Sequence, residues 1–198
     1  MGKIYDITQN IASCRVYPGD PAPDIRQVQS IANGDDCNLT HFSMVAHSGT
    51  HVDAPMHFID GGRDLGQMGL EPFVGPCYVA RREGDLSADD ARRILDEARK
   101  NGVRERILVA GPVTVTEEAA RVFAGAKLLL YGNESQTVGP FEAPRAVHLI
   151  MLGAEVALLE GVRLDGVPEG VYMLHAAPIA LLASEGAPCR AYLIKEEK

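Results

Sequence analysis

The sequence predicts an α/β domain built on a mixed sheet, and three observations lead there. Between residues 74 and 131 strand-like and helix-like stretches alternate, the order that sets parallel strands side by side with helical crossovers between them. The strands expected near the two chain ends lie too close in sequence for helical crossovers, so they must pair antiparallel. Strand-like segments also outnumber helical ones along the chain.

Residues 3–7 alternate in polarity and read as a strand. Tyr17-Pro18-Gly19-Asp20-Pro21-Ala22-Pro23 then stops regular structure in a Pro/Gly turn, a surface loop or pocket lip. From 39 to 47 the alternation returns, with His41, Ser43, Val45 and His47 on one face and Phe42, Met44 and Ala46 on the other, so that His47 is expected to end this strand. Asp60-Gly61-Gly62-Arg63-Asp64 is a turn, and residues 74–80 read as a strand. Ser87-Ala88-Asp89-Asp90 looks like an N-cap with an acidic first turn. Ala91, Ile94, Leu95 and Ala98 follow at helical spacing, with Lys100 and Gly102 at the C-terminal end. Residues 106–110 form a short apolar strand, Thr116 caps a second helix running through Phe123, and 127–131 is another strand. Pro144 fits the first turn of a third helix that carries Ala146, Val147, Ile150 and Met151 and stops at Gly153. Residues 155–159 are a strand, and 170–174 and 191–195 are two more around a connection containing Pro178 and Pro188.

A chain of 198 residues fits one domain, 1–198, large enough to need neither disulfide nor structural metal for bulk stability. No apolar run approaches the roughly 20 residues of a membrane span. The N-terminus lacks a signal-peptide pattern, so a cytoplasmic location is expected. Met1-Gly2 starts like a myristoylation signal, but Asp6 stands where that motif needs Ser or Thr. A net charge of −8 with scattered Lys and Arg argues against nucleic acid and anionic membrane and for a small-molecule partner. Cys14, Cys37, Cys77 and Cys189 show no CxxC spacing, so reduced and mostly buried thiols are expected.

Three of the six histidines fall in one short run, His47-Ser48-Gly49-Thr50-His51-Val52-Asp53-Ala54-Pro55-Met56-His57-Phe58. A helix would put His47 and His51 on one face but turn Asp53 away, and Pro55 disfavours helix at Ala54. A straight strand keeps the side chains on one side, yet six extended residues cover about 20 Å, far beyond a metal–ligand radius of ~2 Å. The chain must therefore curl, with Gly49 free to take φ > 0 between the histidines and Pro55 fixing a bend before His57. Imidazole and carboxylate are the ligand types of a first-row divalent ion, and their convergence without one would carry a heavy desolvation cost. A lone His41 or His175 is instead expected to be a hydrogen-bonded core residue.

The same run resembles the HxGTHxDxPxHF signature of the cyclase family, which includes bacterial kynurenine formamidases, isatin hydrolases and metal-dependent cyclases. Tyr17-Pro18-Gly19-Asp20 is similar to the family's aromatic-Pro-Gly-Asp turn. Val167-Pro168-Glu169-Gly170-Val171-Tyr172 and Pro188-Cys189-Arg190-Ala191 are similar to its C-terminal region. The resemblance implies a partly barrel-like central sheet flanked by helices, of the swivelling β/β/α type. It implies two divalent ions per subunit, zinc or manganese, with His47, His51 and Asp53 on one, and Asp53, His148 and Glu160 completing a bridged pair. Glu155, seven residues after His148, competes with Glu160 by helical spacing, and only the family pattern selects Glu160. His57 is implied as general acid and base, and the ions as the source of hydroxide for attack on an amide or lactam carbonyl. Homodimers or higher homo-oligomers are implied as well.

Two departures bear on the substrate. The kynurenine formamidases place Trp where this chain has Tyr17, and the chain has no tryptophan. The segment Gly132-Asn133-Glu134-Ser135-Gln136-Thr137-Val138-Gly139-Pro140 replaces the family's acidic positions and is expected to line the pocket mouth. Three functions remain: hydrolysis of an N-formyl arylamine such as N-formylkynurenine, opening of a lactam, imide or isatin-like ring, and non-catalytic metal or ligand binding.

Overall fold

The computed structural model describes residues 2–195. The chain opens with β1 (Lys3–Asp6), a ribbon of β2 (Asp24–Gln29) and β3 (Leu39–Ser43), the short β4 (His51–Asp53) and a one-turn helix α1 (Leu65–Met68). Its middle contains β5 (Val74–Arg81), β6 (Gly84–Leu86), α2 (Ala88–Lys100), β7 (Arg106–Ala110) and β8 (Val113–Val115). Then come α3 (Glu117–Gly125), β9 (Leu130–Asn133), α4 (Arg145–Gly153) and β10 (Ala157–Glu160). Last are β11 (Gly170–His175), β12 (Gly186–Pro188) and β13 (Tyr192–Lys195).

The main sheet runs β1-β13-β11-β5-β7-β9-β10-β4-β12. Its centre, β5 to β10, is parallel, and the flanking pairs are antiparallel. The mixed sheet and the crossovers α2, α3 and α4 match the expectation from sequence. Alternate residues explain the layers. Tyr78, Ala80, Ile107, Val109, Tyr131 and Leu158 pack with the buried sides of the three helices. Val79, Leu108, Ala110, Leu130 and Leu159 face the other way, into a cluster that joins Leu193 near one sheet edge to Val52 and Ala187 near the other. Strands so far apart in order share one core only if the sheet curls, which is the partly barrel-like form.

Helix α2 starts as its sequence dictates, with Ser87 and Asp90 exchanging capping hydrogen bonds and Ala91, Ile94, Leu95 and Ala98 buried. Two strands begin later than expected, because Lys127 and Glu155 take left-handed φ of 56° and 62° and the chain must turn before it can pair. The strand expected to reach His47 stops at Ser43, opposite Asp24. Beyond Asp24 its partner strand is preceded by Pro23, which has no N–H to extend the ladder. The thiols also differ from expectation: Cys77 and Cys189 are buried, Cys14 is half-buried and Cys37 is exposed on the ribbon side.

Candidate metal centre

Residues 47–58 are not a single loop. Their middle is β4, held between β10 and β12, with His51 opposite Glu160 and Asp53 opposite Leu158. His51 and Asp53 are two residues apart, so the pleat sends both to the helix-covered face while Val52 enters the inner core. Cross-strand pairing sets Glu160 beside His51, and His148 arrives from the buried side of α4. The curl expected around the strand is present: Gly49 has φ of +66° and Pro55–His57 make a 3-10 turn.

The four buried groups and His47 converge on one point. Asp53 Oδ1 is 2.9 Å from His47 Nδ1 and 3.4 Å from His51 Nε2. Its Oδ2 is 3.7 Å from His148 Nε2. Glu160 lies 3.4 Å from His51 Nε2 through Oε2 and 3.2 Å from His148 Nε2 through Oε1. His47, His51 and Asp53 thus make one group able to hold an ion, and Asp53, His148 and Glu160 make a second that shares Asp53. Backbone carbonyls orient two of the rings. His51 Nδ1 donates to the Gly49 oxygen at 3.0 Å and His148 Nδ1 to the Pro144 oxygen at 2.8 Å, which leaves each Nε2 aimed at the carboxylates.

The donor set fits a divalent ion on this structure's own terms. His51 Nε2 and Asp53 Oδ2 are buried and, among the described residues, have no hydrogen-bond partner, a costly state that a cation at their meeting point relieves. The electrostatics agree. Burial alone would neutralise Asp53, but the His47 and His51 imidazoles outweigh it and hold its carboxyl well below the usual range. Burial likewise opposes charge on His51 and His148, yet the carboxylates push them up to about 10 and about 9. His57 behaves oppositely: burial, with the neighbouring His47 and His148, pushes it down to about 4. Its ring stacks on His47 at 3.9 Å between centroids. It joins neither ligand group.

A cavity of about 250 Å³ opens over these residues, walled by Tyr17, Asp20, His57, Phe58 and Pro144. Tyr17 is at its rim, stacked on Phe141, and its hydroxyl donates to the Phe141 carbonyl at 2.9 Å. Of the departing segment, Gln136 and Thr137 line the cavity as expected. Glu134 instead serves the scaffold, accepting from the backbone N–H groups of Gly111 and Leu164. Glu155 is exposed and paired with Arg63 at 2.7 Å, away from the centre. His41 is exposed rather than a core residue, and His175 stacks on Tyr192, so neither contributes.

Two groups escaped the sequence reading. Gln136 Nε2 donates to the carbonyls of His47 and Gly49 at 2.9 and 2.8 Å, stapling the turn between the two histidines. Glu185 Oε1 is 3.3 Å from His47 Nε2. Gln136 lay in a segment flagged only for substrate, while Glu185 sits 138 positions from its partner with no local pattern to mark it. The turn itself is testable. At Gly49 a Cβ would stand 2.8 Å from Cys14 Cβ with φ at +66°. Gly49→Ala is therefore expected to lower unfolding free energy by about 1–3 kcal/mol in urea denaturation, and an unchanged midpoint would refute the strain argument.

A curled mixed sheet with two carboxylate–histidine groups gathered from β4, the end of β10 and α4 defines an α/β protein with a site fitted to divalent metal. The family model described as "Putative cyclase" matches residues 5–111. Cyclase-like protein 1 of Arabidopsis thaliana is 31% identical over 98% of this chain and 86% of its own. A kynurenine formamidase of Erythrobacter litoralis is 29% identical over 96% of this chain and 93% of its own. A solved structure described as a potential metal-dependent hydrolase with cyclase activity superposes with a TM-score of 0.82 at 26% identity, covering 100% of both chains. The chain belongs to the cyclase family.

Proposed function

We propose that residues 1–198 form one catalytic unit, a metal-dependent amidohydrolase that cleaves the amide of an N-formyl arylamine such as N-formylkynurenine. The observation that carries this is the pair of ligand groups sharing Asp53, with the His57 ring stacked on His47 and lining the cavity beside them. His47, His51 and Asp53 would hold one ion and Asp53, His148 and Glu160 a second, with zinc the metal proposed over manganese. Such a pair supplies a Lewis acid for the carbonyl oxygen and a water that ionises near neutral pH.

The chain's own groups do the rest. Asp53, held ionised, would offset part of the positive charge of bound metal. His57 is neutral at physiological pH, so it can take the proton of the attacking water. It returns that proton to the nitrogen as the C–N bond breaks, which matters because amines leave poorly as anions. Formic acid, which then ionises to formate and a proton released to solvent, and the free arylamine are the products, and His57 ends as it began. Tyr17, Phe58 and Pro144 wall the cavity with apolar surface suited to an aromatic ring. The reading is supported by the similarity to a kynurenine formamidase. It is tested by comparing rates on N-formylkynurenine, isatin and cyclic imides at one metal loading. Hydrolysis of the formamide is expected; preference for a ring substrate moves the function to lactam opening, and failure on all of them favours a binding role.

We also propose a homodimer. Among the described residues the ribbon β2–β3 pairs only with itself, and such an isolated hairpin is marginally stable alone. It nonetheless exposes Ile25, Val28, Leu39 and Phe42, and Phe42 borders a cavity of about 610 Å³ with Ile11 and Ile179. Light scattering is expected to give twice the chain mass, and Phe42→Glu to reduce it to one; a monomeric parent protein would overturn the dimer. No helix among the described residues is long and apolar enough to cross a membrane.

A further inference from the structure

We infer that Glu185 is the positioning residue for His47, fixing which of its nitrogens faces the metal centre; this rests on the metal reading above. The three histidines differ in how their outer nitrogen is held. His51 and His148 are each tied by a backbone carbonyl. In His47 it is Nδ1 that faces Asp53 Oδ1, the oxygen that His51 Nε2 also approaches, so Nε2 is the outer nitrogen. That nitrogen meets the Glu185 carboxylate at 3.3 Å. A carboxylate accepting the outer N–H of a ligating imidazole locks its tautomer and orientation and raises its basicity.

The neighbouring residues hold Glu185 in place for this. Its backbone carbonyl accepts from Ala54 N at 2.8 Å, just past β4, and the preceding carbonyl of Ser184 accepts from Leu65 N at 3.0 Å. Ser184 Oγ lies 3.2 Å from Glu185 Oε2 and 2.8 Å from the Gly186 carbonyl, the two acceptors its single proton can serve. Gly186 completes the seat, since a Cβ there would lie 2.5 Å from His47 Cε1. The imidazole is thus bounded by Gly186 at its edge, by the His57 ring on one face, and by a carboxylate at each nitrogen. Glu185 is not a lining residue of the cavity, which separates it from substrate contact.

The test is zinc affinity of the full chain, measured by competition with a chromophoric chelator, for the parent protein, Glu185→Ala and Glu185→Gln. Glu185→Ala is expected to bind the weaker-held zinc about 10- to 100-fold less tightly. Glu185→Gln keeps an acceptor oxygen at the same reach but not the charge that raises His47 basicity, so its loss should be smaller than that of Glu185→Ala. Histidine ¹⁵N spectra of the zinc-loaded protein should show the His47 Nε2–H protected from exchange in the parent and in Glu185→Gln but not in Glu185→Ala. Parent-like zinc affinity in Glu185→Ala overturns the inference and leaves the metal centre standing. Equal losses in Ala and Gln variants also overturn it, because the acceptor oxygen that Gln keeps would then do nothing to hold the His47 ring. Parent protein that takes up no zinc overturns the metal reading itself, and this inference with it.

Discussion

Replacing His57 with alanine is expected to leave metal content at the parent level and to lower kcat by about 10²- to 10⁴-fold, the usual contribution of a positioned acid–base group. The separation follows from geometry. His57 contributes to neither ligand group, yet its ring lies 3.9 Å from that of His47 and borders the substrate cavity. Removing it deletes the proton carrier and leaves every proposed ligand untouched. Metal analysis and steady-state kinetics on the same preparation check both halves at once. An unchanged kcat would remove His57 from the mechanism, and a parallel loss of metal would make it a ligand.

The second large effect is expected at Asp53. Because its two oxygens face different histidines, His47 and His51 on one side and His148 on the other, it is the group that both candidate ligand sets share. Asp53→Asn, which keeps the shape but not the charge, should reduce bound metal from two ions towards none and abolish turnover. His148→Ala should lose only the ion it would help to hold. Loss of bound metal should also lower thermal stability, since a ligand at 100 times its Kd contributes about 2.7 kcal/mol to the folded state. Elemental analysis and thermal unfolding of the two variants decide it. Two ions retained in Asp53→Asn would rule out the shared position.

Much of this architecture was legible locally. The N-cap of α2 depends on Ser87 and Asp90, three residues apart, and the alternation through β5, α2 and β7 follows from side-chain period. The bend between His47 and His51 was legible in Gly49 for the same reason: it is decided by the φ of one residue. Strand limits were less legible. That β3 stops at Ser43 depends on what its partner offers beyond Asp24, and that β9 and β10 start late depends on the turns at Lys127 and Glu155.

The sequence by itself determined the chemistry on offer in this protein: which ligand types lie near one another and where the chain must curl to bring them together. These are properties of residue type and near-neighbour spacing. The tertiary structure decided which acid answers them. Glu160 meets His51 because β10 pairs with β4 in that register, while Glu155, closer to His148 in sequence, turns outward to Arg63. It likewise decided which nitrogen of each imidazole faces the centre, and it placed Glu185 behind His47. Such choices rest on pairings between segments up to 138 positions apart, whose register is fixed only when the whole curled sheet closes on its core.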